Sequence, residues 1–118
     1  MVLTIEEIRE VVEGVILCDD NNVNIERAMA SDLMSDVLAF AEPGIMLITG
    51  LHSPQVIRTA LVVGIPVVLM VRKIDVPESV IDFAKESGVT LIATKLSMFE
   101  TCGRLYMRGI KPARREME

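Results

Sequence analysis

Three cations of this chain stand directly behind apolar runs. Ile45-Met46-Leu47-Ile48-Thr49 is followed by Gly50, His52 and Ser53, the run from Pro66 to Val71 by Arg72 and Lys73, and Thr90–Thr94 by Lys95. If the runs are parallel strands, all these residues reach one edge, because open parallel sheets bind ligands outside the carboxyl ends of their strands. Ser53-Pro54 and Ser97 open helical patterns, and the first N–H groups of a helix lack internal partners and carry the positive end of its dipole. Arg58 follows one turn into the first of these helices. Thr49, Gly50, His52, Ser53, Arg58, Arg72, Lys73, Thr94 and Lys95 together would suit a small anion such as phosphate, a nucleotide or a carboxylate. The competing reading is plain solvation, since loops are polar because they are wet, and the sequence alone leaves both open.

Other chemistries find less. His52 adjoins Ser53, but a sequence-adjacent pair makes no nucleophile and base without an orienting carboxylate and an oxyanion hole. Asp32 and Asp36 lie four apart beside Ser31 and Ser35, a spacing that can serve a metal. Ser31-Asp32 fits better as the capped, acidic first turn of a helix. The cysteines Cys18 and Cys102 form no CxxC, and one histidine leaves no zinc set from Cys and His alone. The GxGxxG, GxxxxGK[ST] and GxSxG signatures do not occur. No catalytic residue, no metal ligand and no cofactor is expected.

The elements that must position these residues follow from period and punctuation. The chain has 118 residues, room for one domain, and 51% hydrophobic content, enough for a core. Thr4 and Glu7 spell a capping box for a helix over 4–13, with Ile5, Ile8, Val11 and Val12 on one face and Gly14 as its stop. Strands are predicted over 15–18 and 24–30, with a turn at Asp19-Asp20-Asn21-Asn22 between them. A helix over 32–41 would turn Leu33, Val37 and Phe40 inward. Strands 45–49, 66–71 and 90–94 lack polar alternation, as strands covered on both faces do. Helices 54–63, 77–87 and 97–108 separate and follow them, with Gly64 and Gly88 as stops. This predicts an α/β fold: a mainly parallel sheet flanked by helices, with an extra N-terminal strand pair at the edge. Residues 1–110 form one domain and 111–118 a polar tail.

Composition removes further classes. Aromatic residues are 3% of the chain and the net charge is −5, which speaks against nucleic-acid binding by stacking or by a basic surface. No apolar run approaches the length of a membrane span, and the cysteines read as buried free thiols of a reducing cytoplasm. Eight methionines fill cores readily, but Phe99, Cys102, Gly103, Tyr106 and Met107 also suit an apolar stripe for self-association. A homodimer through helix 97–108 or 32–41 is the expectation.

Three segments carry a resemblance: Ala28-Met29-Ala30-Ser31-Asp32-Leu33-Met34-Ser35-Asp36-Val37-Leu38, Pro43-Gly44-Ile45-Met46-Leu47-Ile48-Thr49-Gly50, and Thr94-Lys95-Leu96-Ser97-Met98-Phe99-Glu100-Thr101-Cys102-Gly103-Arg104-Leu105. In order and spacing they resemble a DRTGG-type domain, across nearly the whole chain. Such domains occur fused to phosphotransacetylases and beside CBS domains. A related fold forms the non-kinase half of HPr kinase/phosphorylase, and free-standing versions are similar to proteins encoded near iron-only hydrogenases. The resemblance implies an α/β accessory or regulatory domain. The chain departs from the motif that names the family, for Thr49-Gly50-Leu51-His52-Ser53-Pro54-Gln55 lacks its Asp and Arg, so no ligand role of theirs carries over; Arg58 offers a cation one turn later. Two functions follow as expectations. One is a non-catalytic regulatory or sensor module binding a small anion at the strand ends. The other is a homodimeric assembly module accessory to a hydrogenase or phosphotransfer enzyme.

Overall fold

The computed structural model describes residues 2–19 and 22–113. Strand β1 (Leu3–Thr4) leads into helix α1 (Ile5–Val11), and then come β2 (Val15–Cys18), β3 (Asn24–Ile25), β4 (Arg27–Ala30) and α2 (Met34–Phe40). The regular part runs β5 (Met46–Thr49), α3 (Pro54–Val63), β6 (Val67–Met70), α4 (Glu78–Ser87), β7 (Thr90–Ala93), α5 (Met98–Met107) and β8 (Lys111–Pro112). The main sheet has the order β2-β7-β6-β5-β4-β8, and β1 pairs with β3 in a separate two-stranded sheet. Within the main sheet β8, β4, β5, β6 and β7 pair in parallel, while β2 runs antiparallel to β7.

Every residue of β5, β6 and β7 is buried, which explains their unbroken hydrophobicity. Leu47, Val68 and Leu91 face α2, α3 and α4, packing on Val37, Val56, Ile57, Val80 and Ala84. Met46, Val67, Leu69 and Ile92 face the opposite layer of α1 and α5, with Ile5, Ile8 and Leu105. Each such Leu or Ile contributes about 1.5–3 kcal/mol through removal from water, and both faces of the central strands draw on it.

Local signals set most helix ends. The Thr4–Glu7 capping box forms in both directions, at 2.9 and 3.1 Å. Gly64 and Gly88 close α3 and α4 in the left-handed conformation. At α1 the outcome differs: the left-handed residue is Glu13, with φ 54°, and Gly14 serves by close approach. A Cβ on Gly14 would lie 2.8 Å from the Ala93 carbonyl oxygen, so only glycine lets the chain enter β2 against β7.

Four further details depart from expectation. Residues 24–30 do not form one strand, because Glu26 separates β3, which joins β1, from β4, which joins β5. Helix α2 starts at Met34 with Leu33 as an N-cap that makes no side-chain bond. Its single buried stripe is Met34 and Val37, and Leu33 and Phe40, expected inward, are exposed. Residues 111–112 are not tail but an edge strand, with the Lys111 and Ala113 amides donating to the Glu26 and Ala28 carbonyls at 2.9 Å each. The rest of the expected tail, residues 114–118, lies outside the described residues, as do Asp20 and Asn21 of the expected turn. Cys18 and Cys102 are not joined by a disulfide; Cys18 is buried, its thiol donating to the Val89 carbonyl at 3.3 Å, and Cys102 is half-buried, where burial pushes the thiol pKa up. Among the described residues no helix is long and apolar enough to cross a membrane.

Candidate functional site

Because β4 to β7 are parallel neighbours, their carboxyl ends deliver four loops to one edge. The Val71 amide donates to the Thr49 carbonyl at 2.9 Å, the Thr94 amide to Met70 at 2.9 Å, and Ser31 to Ile48 at 3.0 Å. Past the strands the loops continue to pair. The Arg72 amide donates to the Leu96 carbonyl at 2.9 Å, and Lys73 forms an antiparallel bridge with Thr94. This brings exposed Lys73 and exposed Lys95 onto one rim.

Gly50 sits at the centre, held from both sides. Asp32 Oδ1 accepts from its amide at 2.6 Å and from the Thr49 hydroxyl at 3.0 Å. Arg72 Nη2 donates to the Gly50 carbonyl at 2.8 Å. Arg72 reaches it from a left-handed backbone, φ 79°, a conformation that costs a non-glycine residue roughly 1 kcal/mol. A Cβ at Gly50 would press into the guanidinium, 3.0 Å from its Cζ, so a larger residue here displaces the end of the Arg72 side chain. Asp32 therefore does not cap α2 as its sequence position suggests. The turn before α2 is closed by Ser31, whose hydroxyl accepts from the Leu33 amide at 3.0 Å, leaving the Asp32 carboxylate free to cross to the next strand.

The expected site residues separate into groups. Gly50, His52, Arg72, Lys73 and Lys95 come together. The His52 ring is half-buried with Nε2 3.1 Å from the Val71 carbonyl, a partner that requires Nε2 to carry the proton. Burial holds the His52 pKa below its usual value, the Val71 bond opposes this, and the Lys73 and Arg72 charges add to the lowering. Its Nε2 is thus spent on backbone, not on Ser53. Ser53 is the N-cap of α3 with no side-chain capping bond. Thr49 and Thr94 are fully buried and present no hydroxyl to a ligand. Thr49 closes its own turn, accepting from the Leu51 amide at 3.2 Å. Thr94 accepts from Leu96 at 3.1 Å and donates to the Val12 carbonyl at 2.7 Å, tying α1 to β7. Arg58 turns toward α4, its guanidinium 5.8 Å from the centre of the Phe83 ring. At α5 the first turn is already capped, since Ser97 accepts from the Glu100 amide at 3.2 Å.

Concavities lie elsewhere, two of them on either side of β4. One of about 450 Å³ is lined by Met29, Ala30, Asp36, Phe40 and Pro112. The other, about 110 Å³, lies under α5 between Met29, Ile48, Cys102, Leu105 and Tyr106. Their walls are mainly apolar. Nothing in the sequence signals them, because β8 returns to β4 only through the tertiary fold.

The family model described as the DRTGG domain matches residues 7–107. No curated protein matches the chain. A similar solved structure is that of the CBS and DRTGG domains of the regulatory region of Clostridium perfringens pyrophosphatase, complexed with its activator diadenosine tetraphosphate. The two share 13% identity and superpose with a TM-score of 0.76 over 92% of this chain. That likeness is one of fold, and this chain spans about half of the longer one, 47% of its length. With the family pattern running from α1 to the end of α5, and the same α/β architecture recurring beside CBS domains, the chain belongs to the DRTGG domain family.

Proposed function

We propose that this chain is a regulatory module that binds a small anionic ligand at the carboxyl ends of β5, β6 and β7, without chemical turnover. The observation that carries the reading is the joined rim: the pairing of the loops after β6 and β7 gathers Arg72, Lys73 and Lys95 beside Gly50 and His52. The ion pairs of the described residues engage Arg9 and Arg104, and neither rim lysine is among them. In a chain of net charge −5, such a cluster attracts anions locally. The occurrence of the family's domain in a regulatory region crystallised with a nucleotide activator supports a ligand-sensing role. The engagement of His52 with backbone favours binding over catalysis. Calorimetric titration with inorganic phosphate, nucleotides and acyl phosphates tests the reading. Binding by at least one of them, weakened in Lys73→Ala/Lys95→Ala, is expected; no binding at millimolar concentration, or binding indifferent to both lysines, would refute it.

A second reading has its own observation. Phe99, Tyr106 and Met107 of α5 are 90%, 71% and 88% exposed, which favours a homodimeric assembly module accessory to a larger redox or phosphotransfer enzyme in a reducing cytoplasm. Light scattering should then give a dimer at tens of micromolar and a monomer for Phe99→Glu/Met107→Glu. A wild-type monomer would sink it.

A further inference from the structure

Asp32 is an acidic group built into a rim of cations, and that conflict narrows the ligand. We infer that Asp32 makes the site selective for a ribonucleotide, the sugar hydroxyls bonding to Asp32 and the phosphates to the cations, and that it disfavours a bare phosphate or pyrophosphate. The inference rests on the anion-binding reading above.

Asp32 keeps unused acceptor capacity. A carboxylate offers acceptor positions on both oxygens. Oδ1 takes both the Gly50 amide and the Thr49 hydroxyl, and among the described residues Oδ2 has no hydrogen-bond partner. The residue is exposed, so this second oxygen meets whatever occupies the edge. Two bonds on Oδ1 prevent the side chain from swinging away, so the negative charge stays where it is. A ligand with donors finds a preorganised acceptor, while one that is anionic throughout meets a fixed like charge.

Geometry sets the size. Asp32 follows β4 and Lys73 follows β6, with β5 between them. Two interstrand spacings amount to roughly 10 Å. A single phosphate cannot bridge that gap; a nucleoside diphosphate can, with its ribose toward Asp32 and its phosphates toward Arg72, Lys73 and Lys95. Between these ends stands the Ser53 cap of α3, which follows β5 and makes no side-chain capping bond; Pro54 has no N–H, and the Val56 amide already donates to the Ser53 carbonyl at 3.2 Å. Asp75, which acts on His52 in the direction opposite to Lys73 and Arg72, is a further carboxylate near this edge.

The test is calorimetry on the full chain with three probes: ADP, its dideoxy analogue lacking both ribose hydroxyls, and pyrophosphate. Hydrogen bonds to a charged acceptor predict a preference of about tenfold or more for ADP over either of the others. In Asp32→Asn the amide oxygen still accepts from Thr49 and Gly50, but the second acceptor and the charge are gone. That variant should bind ADP and the dideoxy analogue alike and bind pyrophosphate more tightly than wild type does. Lys73→Ala/Lys95→Ala should weaken all three. Equal wild-type binding of ADP and its dideoxy analogue, with the lysine effect intact, overturns selection by Asp32 and leaves the rim standing. Absence of binding, or binding blind to the lysines, overturns the rim itself. The wild-type comparison needs no variant, so poor folding of Asp32→Asn would not blunt it.

Discussion

Two buried threonines with opposite hydrogen-bond situations test how this fold is held together. Thr94 and Thr101 are both fully buried. Thr94 Oγ1 donates to the Val12 carbonyl at 2.7 Å and accepts from the Leu96 amide at 3.1 Å, whereas Thr101 Oγ1 has no hydrogen-bond partner among the described residues. Valine matches threonine in shape and branching and removes only the hydroxyl. Thr94→Val strands a buried carbonyl at the end of α1 and an amide in the loop after β7. A buried polar group left unpaired costs about 1–3 kcal/mol. The Leu96 amide belongs to a half-buried residue and can recover water, so the sum is about 2–4 kcal/mol. Thr101→Val removes an oxygen that folding desolvated without compensation, a gain of about 1 kcal/mol. Urea unfolding reads both. With a slope of about 1–3 kcal/mol per molar for a domain of this size, Thr94→Val lowers the midpoint by roughly 1–2 M and Thr101→Val raises it slightly. Equal losses for the two variants, or a Thr94→Val loss below about 0.5 kcal/mol, would refute the claim that Thr94 ties α1 to β7.

Two other perturbations follow from single contacts. Gly14→Ala puts a Cβ 2.8 Å from the Ala93 carbonyl oxygen, backbone that cannot yield without parting β2 from β7; a loss of about 1–3 kcal/mol is expected in the same assay, and an unchanged midpoint would show that the β2–β7 contact is loose. Burial, with the charges of Lys73 and Arg72, holds the His52 pKa below its usual 6.5, so the unfolded chain takes up a proton before the folded one. Stability from this group is therefore present above about pH 6.5 and is lost as pH falls through the lower folded value. Urea midpoints should drop more steeply between about pH 7 and pH 5 in wild type than in His52→Gln; parallel curves would mean that His52 titrates normally.

Residues near in sequence announced much of this molecule. The Thr4–Glu7 capping box, Pro54 at the start of α3, and the glycine stops at Gly64 and Gly88 act within one helical turn, and each forms as read. The three unbroken apolar runs reported strands covered on both faces, since only such strands dispense with polar alternation. The cations behind those runs were visible for the same reason: a strand's carboxyl end is a position along the chain.

What those cations touch was not visible. Asp32 reads as a cap because its neighbours in sequence are Ser31 and Leu33, yet its partners are Thr49 and Gly50, seventeen and eighteen residues on. Arg58 belongs to the strand-end helix by sequence and to Phe83 by packing. Gly14 reads as a helix stop, but its lack of a side chain answers to Ala93. Lys111 and Pro112 look like the start of a polar tail and become the partner of β4. By itself the sequence determined the elements, their order, their buried faces and the loops that carry charge, because those depend on interactions along one segment. Tertiary structure alone decided which carboxylate meets Gly50, which cations share a rim and where β2 and β8 join the sheet. Such contacts depend on which strands become neighbours, and neighbourhood is decided only when both faces of the sheet are buried at once.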